Sequence, residues 1–163
     1  MLSAMKRMIA AVVCLLLTPS AAAGPGKQAE TLQDEAGRLI GEVAQAQKLA
    51  SARPALAPAP LGASLVVDLQ RFGLLASRLS LDIDASGGPA DLRCIFRGMA
   101  EETDSQLKSI RSAKTGAVQA AALARLAHML EDAAEIAPLA QKQIAAHPPG
   151  QAAPQTCPVE RKS

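Results

Sequence analysis

Residues 28–50, QAETLQDEAGRLIGEVAQAQKLA, decide the fold class of this chain. Their apolar side chains recur at alternating three- and four-residue spacings, which places them on one stripe of a helix. These residues are Ala29, Leu32, Ala36, Leu39, Val43, Ala46 and Ala50. The stretch therefore predicts an amphipathic helix over about 28–50 that packs against other helices. Asp34 and Arg38 lie four residues apart on its outer face and are expected to pair.

Three further segments show the same helical spacing. Residues 64–81 carry Leu65, Leu69, Phe72, Ala76 and Leu79 on one stripe. Residues 90–113 are expected to turn Leu92, Ile95, Phe96, Met99, Leu107 and Ile110 inward. Residues 115–147 present a seam of Leu123, Leu126, Leu130, Ala133, Ala137, Ala140 and Ile144. Four helices with short links predict an all-α, up-down-up-down four-helix bundle over residues 24–147.

Proline and glycine mark the breaks between these segments. Pro54, Pro58 and Pro60 predict a stiff connector over residues 51–62, because each proline fixes its φ angle. Residues 82–88 are rich in Asp, Ser and Gly and are expected to form a polar turn. Pro138 lies inside the last helix, where an interior proline costs about 3 kcal/mol, and predicts a kink or break there. Residues 148–163 are predicted to form an extended, proline-rich tail.

The N-terminal residues 1–23 have the pattern of a secretory signal peptide. Lys6 and Arg7 precede an apolar run over residues 8–17, and small residues lead up to Gly24. The run is shorter than the roughly 20 residues needed to cross a bilayer. We therefore expect cleavage before Gly24, no transmembrane span in the mature chain, and a periplasmic or secreted protein. Retention of the uncleaved segment as an anchor is the alternative.

Charge and aromatic content argue against nucleic-acid binding. The full chain has 17 Lys and Arg against 15 Asp and Glu, and loss of Lys6 and Arg7 with the signal makes the two counts equal. A neutral chain has no electrostatic attraction to phosphate backbones. The chain also lacks Trp and Tyr and has two Phe, so it offers few rings on which bases could stack.

Two cysteines, Cys94 and Cys157, remain after cleavage, since Cys14 lies within the signal. In an oxidising compartment, two such thiols most simply form one disulfide. Cys94 is expected near the start of the third helix, beside the end of the fourth helix, where the tail emerges. From His147 the tail can span roughly 30 Å, which is enough to fold back to Cys94. The alternative is two free or intermolecular thiols.

The sequence Asp82-Ile83-Asp84-Ala85-Ser86-Gly87 resembles the opening of a calcium-binding EF-hand loop. Asp82, Asp84 and Ser86 supply oxygens at its first, third and fifth positions. The twelfth position, normally a bidentate Glu, is Arg93, which would repel the ion. We therefore interpret the segment as a polar turn and these three residues as weak metal candidates.

No other pattern in the sequence indicates a cofactor or catalysis. His128, Glu131 and Asp132 crowd the fourth helix, but His128 is expected to lie opposite the seam and to be solvated. The sequence has no covalent haem motif, phosphate loop or recognisable nucleophile motif. We therefore predict that the protein has no cofactor and is not an enzyme.

Val67, Leu74 and Leu81 repeat every seven residues on the side of the second helix away from its apolar seam. One interpretation is a more deeply buried helix, covered by the tail or the proline connector. The other is a docking strip for a partner helix, a self-association face or a membrane surface.

These patterns together predict a non-enzymatic exported protein that acts as a structural or protein-interaction module of the cell envelope. Its partner would be another protein or a second copy of itself. The competing interpretation is a periplasmic carrier of a small ligand or a metal. A secreted toxin or effector is a third possibility left open by the sequence.

Overall fold

The computed structural model describes residues 24–146 and Cys157. It contains four helices: α1 (Pro25–Ser51), α2 (Ala63–Ala85), α3 (Ala90–Ser112) and α4 (Gly116–Ala146). Their packing confirms the predicted all-α four-helix bundle. The predicted signal peptide and the tail, apart from Cys157, lie outside the described residues.

Each helix runs antiparallel to the two helices beside it, so the four form a ring. Contacting residues establish this direction, because the number of one partner rises as that of the other falls. The pairs are Gln28–Asp82 and Arg38–Asp68 for α1–α2, Gly73–Thr103 and Asp84–Arg93 for α2–α3, and Gly26–Gln141 and Ala50–Gly116 for α1–α4. These three directions make α3 and α4 antiparallel too, and Glu102 contacts Arg125 between them. The extensive contacts join α1 to α2, α2 to α3, α3 to α4, and α4 back to α1.

Helices α1 and α4 form the most extensive helix pair of the bundle. The predicted stripe of α1 is buried apart from Ala46, which is half-buried. Ala133, Ala137 and Ala140 of α4 are buried too. Small side chains on both helices let their backbones approach closely.

The predicted turn over residues 82–88 begins too early. Helix α2 continues to Ala85, because Ile83 follows Leu79 by four residues and is fully buried on the same seam. The chain turns away two residues later at Gly87, whose φ of 72° is in the left-handed region that favours glycine. The amide of Gly88 donates to the carbonyl of Ile83 at 2.8 Å, and that of Gly87 to Asp84 at 3.1 Å.

Helix α4 continues through Pro138, so the helix break that the sequence predicted as one possibility does not occur. The proline removes one backbone donor, but Ala137 and Ala140 on either side of it are buried in the bundle. Packing of this seam against α1 offsets the lost hydrogen bond.

The proline connector caps the start of α4. The amide of Gly116 donates to the carbonyl of Leu56 at 2.9 Å, and the amide of Ala117 donates to Pro54 at 3.0 Å. These two amides lie in the first turn of the helix, where no intrahelical acceptor exists. The connector therefore supplies the acceptors that water would otherwise provide, and it ties the α1–α2 link to the start of α4.

Candidate interaction surface

The α2 strip, which we define as Val67, Leu74 and Leu81, is open to solvent. Their exposed fractions are 52%, 72% and 66%. On the opposite side of α2, the seam of Leu65, Leu69, Phe72, Ala76 and Leu79 is buried as predicted. The core-facing side of the helix is therefore buried, while a second apolar stripe on its other side stays exposed. Neither the connector nor another described segment covers these three side chains.

A groove of about 570 Å³ runs between α2 and α3, with Leu74 at its edge. Small residues contribute to its lining, Gly73 and Ser77 on α2 and Ala100 on α3. A Cβ atom on Gly73 would lie 3.2 Å from Thr103 Cγ2, so the missing side chain also lets α3 approach. The sequence interpretation missed this α2–α3 groove. Small residues at facing positions of two helices were the only signal for it.

The groove has a charged rim on α3. Arg97 pairs with Glu101 at 3.4 Å, and Asp104 pairs with Lys108 at 2.5 Å. Arg111 lines the groove at the other end of α3, where its Nε donates to the carbonyl of Leu107 at 3.2 Å.

On the α1 side of the strip, Arg38 is the centre of a cluster of charges. It contacts Glu35 at 2.9 Å, Glu42 at 2.7 Å and Asp68 of α2 at 3.0 Å. The hydrogen bond with Glu35 raises the pKa of the Arg38 guanidinium above its ordinary value. Arg38 does not pair with Asp34, the partner that the sequence predicted. It pairs instead with Glu35 and Glu42 of α1 and with Asp68 across the α1–α2 interface.

Cys94 and Cys157 lie at disulfide distance, with Cα atoms 5.3 Å apart. This is the pairing predicted from the sequence. Cys94 is half-buried near the start of α3, on the same stripe of the helix as Arg97 and Glu101. The pair brings the C-terminal region back to the bundle at the end of the α2–α3 groove.

The predicted metal candidates do not form a loop. Asp82 and Asp84 belong to α2, where Asp82 accepts a hydrogen bond from Gln28 and Asp84 pairs with Arg93. Ser86 donates to the carbonyl of Ile83 at 3.1 Å, which leaves its hydroxyl directed at the helix end. The three residues are thus engaged in capping and in helix-to-helix contacts. Among the described residues, His, Cys, Asp and Glu side chains form no group of three that could hold a metal.

A shallower groove lies between α3 and α4. It is lined by Ile95, Met99, Arg125, His128 and Met129, among others. The prediction that Ile95 turns inward was wrong, since 37% of it is exposed at this rim. Buried Phe96 and Leu92 fill the α3 core positions and leave Ile95 at the edge. His128 is solvated, as expected, and lies 3.4 Å from Glu131.

No family model, curated protein sequence or solved structure matches this chain. Within residues 24–146, no helix combines the length and the apolarity that a bilayer span requires. On the surface of the bundle, the α2 strip places three exposed apolar side chains in a row beside the α2–α3 groove.

Proposed function

We propose that this chain is an exported, non-enzymatic helical-bundle protein that acts as a protein-interaction module of the cell envelope. Its α2 strip docks a helix of another protein. The observation that carries the proposal is the exposure of Val67, Leu74 and Leu81 on a helix whose opposite face is already buried. Aligned apolar side chains on a solvent-facing helix are typical of helix-docking surfaces.

The regular spacing of the strip supports a helical partner in particular. Residues seven apart lie nearly above one another on a helix, so the three side chains form a row about 21 Å long. The row points directly away from the α2 seam. A partner helix laid along it would contact all three side chains at once.

Export is supported by the N-terminal pattern and by the cysteine pair. Residues 1–23 have the composition of a signal peptide. Cys94 and Cys157 lie at disulfide distance, and disulfides persist in oxidising compartments such as the periplasm.

The non-enzymatic part of the proposal is supported by where the titratable groups lie. His128 is solvated at the rim of the α3–α4 groove and lies 3.4 Å from Glu131. The carboxylates beside the α2–α3 groove form surface ion pairs. The carrier alternative has weaker support, because the bundle interior is filled by apolar side chains and both grooves are open at the surface.

The test compares Leu74→Glu with Leu139→Glu, an equally drastic change at a 54% exposed leucine on α4. A partner is first captured from the envelope with the tagged protein, purified, and titrated against each variant. We expect Leu74→Glu to raise the Kd at least about ten-fold, since a buried charge is costly at an apolar interface. Leu139→Glu should leave the Kd unchanged.

Both variants should keep the free energy of unfolding within about 0.5 kcal/mol of the wild type, as exposed substitutions usually do. If Leu74→Glu unfolds the bundle, the strip is part of the core and the proposal is wrong. Equal binding by both variants would also contradict it.

A further inference from the structure

The α2 strip alternates with arginines. Val67, Arg71, Leu74, Arg78 and Leu81 follow one another at four- and three-residue spacings, so they share one stripe of α2. Arg71 and Arg78 are both exposed. A helix laid along the strip would therefore meet two guanidinium groups between the three apolar side chains.

The ion pairs around the strip leave two of its neighbouring arginines without a carboxylate partner. Each groove carboxylate has a cation of its own, Glu101 with Arg97 and Asp104 with Lys108. Arg71 contacts Asp68 at 3.4 Å. Within residues 24–146, by contrast, neither Arg78 nor Arg111 forms an ion pair with a carboxylate.

Of the two unpaired arginines, Arg111 lines the groove, and Arg78 lies on the stripe of the α2 strip beside it. Helices α2 and α3 are antiparallel, with Gly73 beside Thr103. Arg78 therefore lies towards the start of α3, and Arg111 lies near its end, beside the first turns of α2. They are placed to receive carboxylates at both ends of a helix of about four turns.

A second copy of this chain fits the strip poorly. An antiparallel pair centred on Leu74 would place Arg71 of each copy opposite Ser77 of the other, one residue away from Arg78. A parallel pair would place each arginine opposite its own counterpart. Like charges facing each other across a helix interface are destabilising. The charge of the strip thus disfavours self-association and favours an acidic partner.

We propose that the α2–α3 groove binds an amphipathic helix whose apolar residues contact the α2 strip and whose carboxylates pair with Arg78 and Arg111. This inference rests on the proposed docking function and specifies the chemistry of its partner. Three apolar side chains bury a surface area well below the roughly 800 Å² per partner of a standard interface. The complex is accordingly transient.

The experiment uses the full chain, expressed with its own N-terminal segment and purified with its cysteines oxidised. The probes are two fluorescent helical peptides of about five turns, with leucines at three- and four-residue spacing. One carries Glu at the flanking positions and the other carries Lys. Fluorescence anisotropy should give a Kd at least about ten-fold lower for the Glu peptide, and added salt should reduce the difference.

Charge-reversal variants of the protein test whether Arg78 and Arg111 are the residues that contact the acidic peptide. The double variant Arg78→Glu/Arg111→Glu should bind the Glu peptide with about ten-fold lower affinity and the Lys peptide with higher affinity than the wild type does. The control is Arg125→Glu, an exposed arginine on α4 that contacts Glu102 at 3.9 Å. It should change neither affinity.

Two results would overturn the inference while leaving the docking function intact. One is that the protein binds the Glu and Lys peptides with equal affinity and that Leu74→Glu binds neither. The other is Leu74-dependent dimerisation in sedimentation equilibrium, which would identify a second copy as the occupant. Failure of both peptides to bind also overturns the inference. The docking function itself fails only if its own partner binds Leu74→Glu as well as the wild type.

Discussion

Gln119 of α4 forms two hydrogen bonds with the backbone of Ala59, 60 residues earlier in the chain. The amide of Ala59 donates to Gln119 Oε1 at 2.9 Å, and Gln119 Nε2 donates to the carbonyl of Ala59 at 2.7 Å. The side chain of Gln119 is almost fully buried. This pair fixes the proline connector across the end of the bundle, from which α2 and its strip begin.

Gln119→Leu should lower the free energy of unfolding by about 1–3 kcal/mol, because it leaves the backbone donor and acceptor of half-buried Ala59 without their side-chain partners. Urea denaturation followed by circular dichroism measures the change. Gln45→Leu, at an exposed position of α1, is the control and should be nearly neutral. A Gln119 variant as stable as the wild type would show that the connector is not held by this pair.

Gly116 should not tolerate a side chain. A Cβ atom there would overlap the carbonyl oxygen of Arg53 and lie 2.7 Å from that of Ala50. Gly116→Ala is expected to lower the free energy of unfolding by about 1–3 kcal/mol, as overpacking does. Thermal melting would show this as a lower Tm.

The matched control is Gly41→Ala in α1, where nothing lies within 4 Å of an added Cβ. It should stabilise the protein by about 0.5–1 kcal/mol, because alanine loses less backbone entropy than glycine in a helix. The same sign of effect at both positions would contradict the close contact between α4 and the end of α1.

Cys94 and Cys157 should form a disulfide in exported material. Mass spectrometry under non-reducing conditions should recover the two cysteines in one linked peptide. Cys157→Ser, or reduction of the wild type, should lower the free energy of unfolding by about 2–4 kcal/mol, since the link closes a loop of 63 residues. Two free thiols in periplasmic material would refute the pairing.

The N-terminal segment should be removed on export. N-terminal sequencing of protein released by osmotic shock is expected to begin at Gly24. Ala23→Leu should block cleavage, because signal peptidase requires a small residue before the cut. Recovery of the intact segment from the membrane fraction would instead support the anchor alternative.

The fold could be predicted from the sequence because helical periodicity is local. The stripes of α1 and α2 predicted which residues are buried, with Ala46 as a partial exception. The end of α2 was misplaced because Asp82 and Asp84 indicated a turn, while buried Ile83 extended the seam. Packing in the tertiary structure overrode the local polarity.

The candidate surface was predictable only in part. The seven-residue repeat of Val67, Leu74 and Leu81 is visible in the sequence. The α2–α3 groove is not, because it depends on which residue of α3 faces Gly73. The same is true of the bond between Gln119 and Ala59, which joins residues far apart along the chain. Such long-range register requires the three-dimensional structure.

The most direct test of the docking claim is site-specific photo-cross-linking in living cells. A photoreactive amino acid is placed at Val67, Leu74 or Leu81, and at Leu139 of α4 as the exposed control. We predict that the three strip positions give an adduct with the same partner protein and that Leu139 gives none. Absence of adducts along the strip, or equal adducts at Leu139, would contradict the proposed function.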